Sequence, residues 1–592
     1  MEALLRKLLP GIDFTEHLEN DTDIEPLRPH PVEALPRNDA DSIAQTLSKL
    51  QLDPEKNRFF GKSSGIQLVQ VALNFQSNLT GIAPEITRRL QKRTEFWQPA
   101  FWIYPPLGDD SPKYEFPEPA LMTSLIDLYF ERIHPYYPLL HQPTFRTQVA
   151  DELHLRDHRF AATLLMVCAL GARHSEDPNV LLDNSFLRHT AGWKWHNQVR
   201  VLPKNLIYKP DLYELQTIAL SSIYLQGLSS TAIGWNQIGF GLRRAQDVGA
   251  HRRRKDALSN SADNERWKRV FWVLLCQEWD TGTTTGRPIA MHEQDFDQVY
   301  PIECDDEFWD TNFEQPSNKP SQLTYFIYLI KLLEIQAAVT SNIYITRKPR
   351  DFSGQVSSPS DAQSIMAFDS SLNSWLSQVP DHLKWDPERQ DKIHFHQSAL
   401  LHTRFFYVQI LLHRPFIPAP LELTKAGALP SLAICTSAAR SVVGIFEALL
   451  KRNEHLESFF LTMAFTAGIV LLLNAWSGKR SGFAYNPVKE LEQVEMCLKL
   501  LRSGEEQHRV AGRYSDILTR LMDAGARDTL EVLLDMKPPA LTVVPPSPQP
   551  GYEAYSAQDW SYSNFPNLDN LLNTDSPFVF PDGDFPRSRQ SQ

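Results

Sequence analysis

No two cysteines in this sequence form a C-x-x-C pair. The five (Cys168, Cys276, Cys304, Cys435 and Cys497) are scattered through 592 residues, and the nearest two stand 28 positions apart. That spacing excludes a locally written zinc cage or redox motif. An odd, dispersed set fits a reducing compartment. Positive charge is also short: 59 Lys and Arg against 71 Asp and Glu, a net charge of −12. The chain as a whole is therefore a poor match for a phosphate backbone, although a small basic module survives that balance. The first apolar stretch does not read as a secretory signal, because Arg6, Lys7 and Pro10-Gly11 interrupt it. A phosphate loop is missing too. "FGKSSG" at Phe60–Gly65 needs a glycine at position 56, and Lys56 stands there. No Ser/His/Asp or Cys/His catalytic set can be written.

Period-2 strands and Asn-Gly hairpins are absent as well. What is present is helical spacing. "LMTSLIDLYFERI", "HRFAATLLMVCALGARH", "WNQIGFGLRRAQDVGAH", "ERWKRVFWVLLCQEWD" and "FHQSALLHTRFFYVQILLH" all repeat apolar residues every three or four positions. The expected fold is all-α, one large multi-helix domain over residues 117–535. Residues 1–9 ("MEALLRKLL") form a short uncapped amphipathic stripe. Residues 10–116 read as a mostly disordered acidic linker with an ordered patch near 58–75. Residues 536–592 read as a disordered tail, in which Trp560, Phe565, Leu568, Leu571, Leu572 and Phe578 are spread among acids, the composition of an activation segment. The uncharged run Ser458–Gly478 is long enough to span a membrane. Its Thr462, Thr466 and Asn474, and the amphipathic helices around it, predict a buried central helix instead.

Four clusters carry possible chemistry. "CDDEFWD" (Cys304–Asp310) offers carboxylates that could bind magnesium, but no second metal motif accompanies it, and acids favour a solvated helix start. "DTGTTTGRP" (Asp280–Pro288) reads as helix stop and turn. His394, His396, His402 and His413 lack a sensibly spaced third ligand and read as packing residues. "AHRRRK" follows a helix, where Arg252, Arg253, Arg254 and Lys255 complement the negative helix end, serve as a nuclear import address, or contact nucleic acid.

Several stretches together resemble one family. "LIDLYFERIHPYYPLLHQPTF" (residues 125–145, with His134, Pro135, Pro138, His141 and Phe145) resembles the opening of the fungal-specific transcription factor domain, the middle homology region. "GWNQIGFGLRRAQDVGAHRR" (residues 234–253) resembles its next landmark, a helix ending at Gly249, His251 and Arg252. Residues 265–309 resemble its most recognisable block: Phe271, Trp272, Asp280, Gly286-Arg287-Pro288, then a proline before a paired acid. "LLHRPFI", with His413-Arg414-Pro415, resembles a later landmark. In place of the usual basic residue after the block's aspartate, Thr281 follows Asp280.

The resemblance implies scaffold roles for these residues, with Arg287 expected to pair with an internal carboxylate such as Asp280. It implies no enzyme, and a fungal transcription regulator in the nucleus. DNA would be bound through an N-terminal six-cysteine zinc cluster, and zinc is expected only where that cluster exists. This sequence holds none, and "MEALLRKLLPG" resembles the last turns of the dimerising coiled coil that follows it. The expectation is therefore a start cut short of its cluster, or a cluster supplied by a homo- or heterodimer partner. The tail would recruit transcription machinery, and no membrane is involved. The rival readings are a cluster-less co-regulator acting by protein contact, and a small-molecule-binding or metal-dependent enzyme on an all-helical fold.

Overall fold

The computed structural model describes residues 113–535, apart from residues 184, 203–207, 227–230, 254–261, 346–360, 418–429, 453–457 and 482–486. Among the described residues there are fourteen α-helices and no strand, so the all-α expectation holds. The first seven are α1 (Pro119–Arg132), α2 (Gln142–Ala150), α3 (His158–Ala172), α4 (Trp193–His196), α5 (Leu212–Gln226), α6 (Thr231–Asp247) and α7 (Ala262–Thr285). Then follow α8 (Leu323–Ile343), α9 (Asp361–Gln378), α10 (Lys392–His413), α11 (Ser431–Lys451), α12 (Phe459–Ser481), α13 (Pro487–Ser503) and α14 (Arg509–Asp535). The described residues up to Arg527 belong to one compact unit. A second unit begins at Asp528, and its described part is the end of α14.

The local reasons for these helices are visible. Asp157 caps α3, its carboxylate accepting from the backbone N–H of Arg159 at 2.8 Å. Asp391 caps α10 in the same way through His394 N–H. Helix α3 is apolar on every face and almost wholly buried, as a central helix must be. It lies against α1 and α5. A Cβ at Gly171 would lie 2.0 Å from the Leu125 carbonyl oxygen, so glycine permits the close crossing of α1 and α3.

Helix α7 is the hub: α5, α6 and α8 all pack on it, and Phe271, Trp272, Leu275 and Trp279 are buried along it. It runs past Asp280 to Thr285, five residues beyond the expected end, and stops in a Schellman turn. Gly286 has φ +66°, Arg287 N–H donates to Gly282 O at 2.9 Å and Gly286 N–H to Thr283 O at 3.3 Å. The glycine-bearing motif is thus helix-stop chemistry. Helices α8 and α11 are long and apolar enough to cross a membrane, but half or more of each is buried in the protein. The uncharged run after Ser458 forms α12, with Phe460, Leu461, Ala464 and Leu471 buried.

Candidate functional site

Two of the landmark stretches, residues 125–145 and 265–309, meet at a polar centre in which the key groups are Arg269 and Asp306. Arg269, on α7, is 1% exposed, and its Nη1 donates to Asp306 Oδ1 at 2.6 Å. The other carboxylate oxygen accepts the backbone N–H of Gln142 at 2.7 Å and lies 3.6 Å from His134 Nε2. His141 caps α2 toward Thr144, and its Nε2 sits 3.0 Å from the Asp306 carbonyl oxygen. The His141 ring stacks on Trp309 with centroids 4.0 Å apart, and the Arg269 guanidinium lies over the same indole at 4.6 Å.

Burial alone would raise the Asp306 pKa. Arg269, His134 and the Gln142 N–H outweigh it and hold the carboxyl well below its ordinary range. For His141, burial lowers the pKa and the nearby Asp306 only partly opposes it. Three chain segments, the His134–His141 corner, α7 and the loop at 304–309, are joined at this one point. Pro135 contributes its carbonyl to Gln397 of α10 at 2.9 Å, Pro138 is buried, and Phe145 packs on Phe130 and Phe160.

The expectation of a solvated helix start at Cys304–Asp310 is corrected. Only a short 3-10 turn, Asp306–Phe308, forms there. Asp305 and Asp306 are each only 12% exposed at the side chain, because a buried guanidinium requires a carboxylate beside it. Asp305 is equally engaged, accepting from Ser321 Oγ and Gln322 N–H at 2.8 Å. Both carboxylates are therefore committed to protein donors. Among the described residues no three His, Cys, Asp or Glu side chains gather to hold a metal. The five cysteines are buried free thiols, each pushed up in pKa by burial. They do not fit a zinc cluster, whose ligands are exposed to the ion as thiolates.

A second centre lies farther along α7. Asp280 pairs with Arg404 of α10, the two terminal guanidinium nitrogens each donating to one carboxylate oxygen. The expected Arg287–Asp280 pair is absent. The turn at Gly286 carries Arg287 over the Trp235 ring, 4.8 Å from its centroid. Arg404 is 3% exposed and its Nε has no hydrogen-bond partner. Buried Tyr407 beside it is pushed up to about 12, by burial first. A cavity of about 60 Å³ opens on this pair.

The remaining landmarks are structural in their contacts. Gly249 has φ +73° and turns the chain after α6. His251 is 5% exposed and held to about 4 by burial. Arg252 pairs with Asp297 at 3.1 Å, and Arg253 N–H donates to the same carboxylate. Trp272 Nε1 donates to the Val299 carbonyl at 2.9 Å. His413 meets Asp369 at 3.2 Å, and Arg414 Nε donates to Tyr344 at 2.7 Å, with Pro415 in the following 3-10 turn. His402 bonds the Ser398 carbonyl of its own helix. Arg254 and Lys255, the tail residues Trp560, Phe565, Leu568, Leu571, Leu572 and Phe578, the stripe at 1–9 and the patch at 58–75 lie outside the described residues.

Residue-type patterns alone missed Arg269 and Arg404, and they found Asp306 and Trp309 only as part of a cluster read as solvated. Arg269, Asp306 and Trp309 sit inside the quoted block, where the arginine before "VFW" and the paired acid were the available signal. Arg404 carries no local signal, since its partner is 124 residues away.

Residues 126–384 match the family model of the fungal specific transcription factor domain. A relative in Schizosaccharomyces pombe, named an uncharacterized transcriptional regulatory protein, is 22% identical over 80% of this chain and 62% of its own length. Cutinase transcription factor 1 alpha of Fusarium vanettenii is 26% identical over 57% of this chain and 36% of its own. Transcriptional activator protein acu-15 of Neurospora crassa is 24% identical over 74% and 46%. The chain thus spans between about a third and under two-thirds of these relatives. The family and its relatives are transcription regulators, not enzymes.

Proposed function

We propose that this chain is a fungal transcription regulator acting in the nucleus, and that its helical region sets how strongly it acts. The observation that carries this is the Asp306 centre. Two of the stretches that resemble the family landmarks, residues 125–145 and 265–309, meet in one buried cluster inside the matched region. The relatives' names support the same class.

In this reading DNA is contacted through a zinc cluster outside these 592 residues, on the same polypeptide or on a dimer partner. The acidic net charge and buried thiols support assigning that task elsewhere. The segment after residue 536 recruits transcription machinery through aromatic and leucine anchors, and the basic run at Arg252–Lys255 serves nuclear import.

The test fuses the chain to a heterologous DNA-binding domain in a fungal reporter strain. Activity above the DNA-binding domain alone, lost on deleting 536–592, is expected. Output unchanged by that deletion sinks the recruiting tail, and no output from any version sinks the activator reading.

A further inference from the structure

We propose that the cavity beside the Asp280–Arg404 pair binds a small, neutral, polar molecule of the amide or polyol kind, and that its occupancy regulates the domain. The regulatory half rests on the transcription-regulator reading above; the binding half does not.

The cavity measures about 60 Å³. One water-sized probe takes roughly 10–15 Å³, so the space corresponds to about four to six such probes. That is the scale of a molecule with a handful of non-hydrogen atoms. Five helices form its wall: α5 through Gln226, α7 through Asp280 and Thr281, α10 through Arg404, α12 through Phe459 and Thr462, and α14 through Tyr514.

The charge of the wall decides the class of guest. Asp280 and Arg404 are its charged residues, and they neutralise one another in a two-point pair. An ionic guest would lose its hydration and find no free countercharge. A neutral guest finds both kinds of partner. Arg404 has N–H donors beyond the two that meet Asp280. The Asp280 carboxylate remains 14% exposed and has lone pairs to spare. Thr281 and Thr462 add hydroxyls, and Phe459 adds an apolar face. An amide presents a carbonyl to the arginine and an N–H to the aspartate.

The wall also explains how occupancy could be transmitted. Tyr514 of α14 stacks on Phe465, with ring centroids 4.3 Å apart. A guest held between α7, α10 and this edge of α12 fastens the start of α14, the last helix before the segment proposed to recruit transcription machinery.

The test uses the purified full chain and propionamide as probe, with propionate and n-propylamine as charged molecules of the same shape. Calorimetric titration is expected to give saturable binding of propionamide, with a Tm that rises with its concentration. The charged analogues are expected to bind at least about tenfold more weakly. Thr462→Val keeps the shape of the side chain and loses one hydroxyl, so it weakens binding about tenfold. Val510→Phe, filling the cavity from α14, abolishes binding, and it stands in if Thr462→Val fails to fold. No saturable signal, equal affinity for all three probes, or wild-type affinity in both variants overturns the site. Saturable binding with reporter output indifferent to propionamide overturns the regulation alone.

Discussion

The guanidinium of Arg269 and the carboxylate of Asp306 meet at 2.6 Å inside the helical domain, and between them they tie three separated segments together. Arg269 also reaches the Leu140 carbonyl at 3.3 Å, while Asp306 receives the Gln142 N–H. Removing one partner strands the other in a buried site. Arg269→Met is therefore expected to cost about 3–5 kcal/mol of unfolding free energy. The double variant Arg269→Met with Asp306→Asn should recover part of that loss. Urea denaturation of the two single variants and the double measures the coupling; additive losses would falsify the pairing as the source of the stability. Asp306 is held below its ordinary 3.8, so its contribution is full above about pH 4 and drains away as pH falls below it.

Glu278 behaves oppositely. It is 1% exposed, and burial raises its pKa to about 7, although Ala290 N–H donates to one oxygen. A folded value above the ordinary 4.5 means that its contribution is full below about pH 4.5 and is lost as pH rises through 7. Glu278→Gln keeps an acceptor for Ala290 and removes the charge. It is expected to stabilise the protein by about 1–3 kcal/mol at pH 8 and hardly at all at pH 5. Thermal melts at the two pH values test this. An equal effect at both would mean that packing, and not ionisation, is at work.

The buried histidines set the acid limit. His196 and His251 both have pKa values lowered to about 4, chiefly by burial. Their folded values lie below the ordinary 6.5, so stability tied to them is full above that value and is lost as pH falls toward 4. His196 lies 3.0 Å from Ser221 Oγ and stacks on Tyr224. His196→Gln should flatten the loss of Tm between pH 6.5 and 4.5, whatever it does to Tm at neutral pH. A slope identical to wild type counts against His196 as a contributor.

The helices were legible in the sequence because apolar spacing is a local signal, and α3, α7 and α10 fall where that spacing places them. The turn at Gly286 was legible for the same reason. The ion pairs were only half legible. Asp280 and the paired acid stood out in the resembling block, but a charge does not announce its partner. Arg287 was the nearest cation in sequence, and the Schellman turn rotates it away to Trp235 while Arg404 arrives from α10. Likewise "CDDEFWD" reads as solvated because acids usually are. Only the approach of α7 shows that Asp306 is enclosed.

Two glycines separate steric from conformational demand. At Gly171 an added Cβ meets backbone at 2.0 Å; at Gly286 it meets nothing within 4 Å, but φ is +66°. Gly286→Ala is expected to cost about 1 kcal/mol from left-handed strain alone. Gly171→Ala must push α1 away from α3 and should cost more, about 1–3 kcal/mol or above. Denaturant midpoints rank the two variants, and the reverse order would contradict the close crossing of these helices.

The Asp280–Arg404 pair makes a prediction about boundaries. The family match ends at residue 384, but Arg404 lies beyond it, as does α10, whose Phe395, Leu401, Phe405 and Val408 are buried in the same core. A fragment ending at 384 leaves Asp280 buried without its cation and uncovers the faces of α8 and α9 that α10 packs against. An unpaired buried charge alone costs about 3–5 kcal/mol, a large share of the roughly 5–15 kcal/mol that holds a domain together. Residues 113–384 are therefore expected to be aggregated or protease-sensitive, whereas 113–535 is expected to elute as a folded species with a cooperative melt. Adding Asp280→Asn to the short fragment removes the stranded charge but not the lost packing, so it should reduce aggregation without restoring cooperativity. A short fragment that melts cooperatively would show that α10 to α14 are an appendage to the matched region and not part of its core.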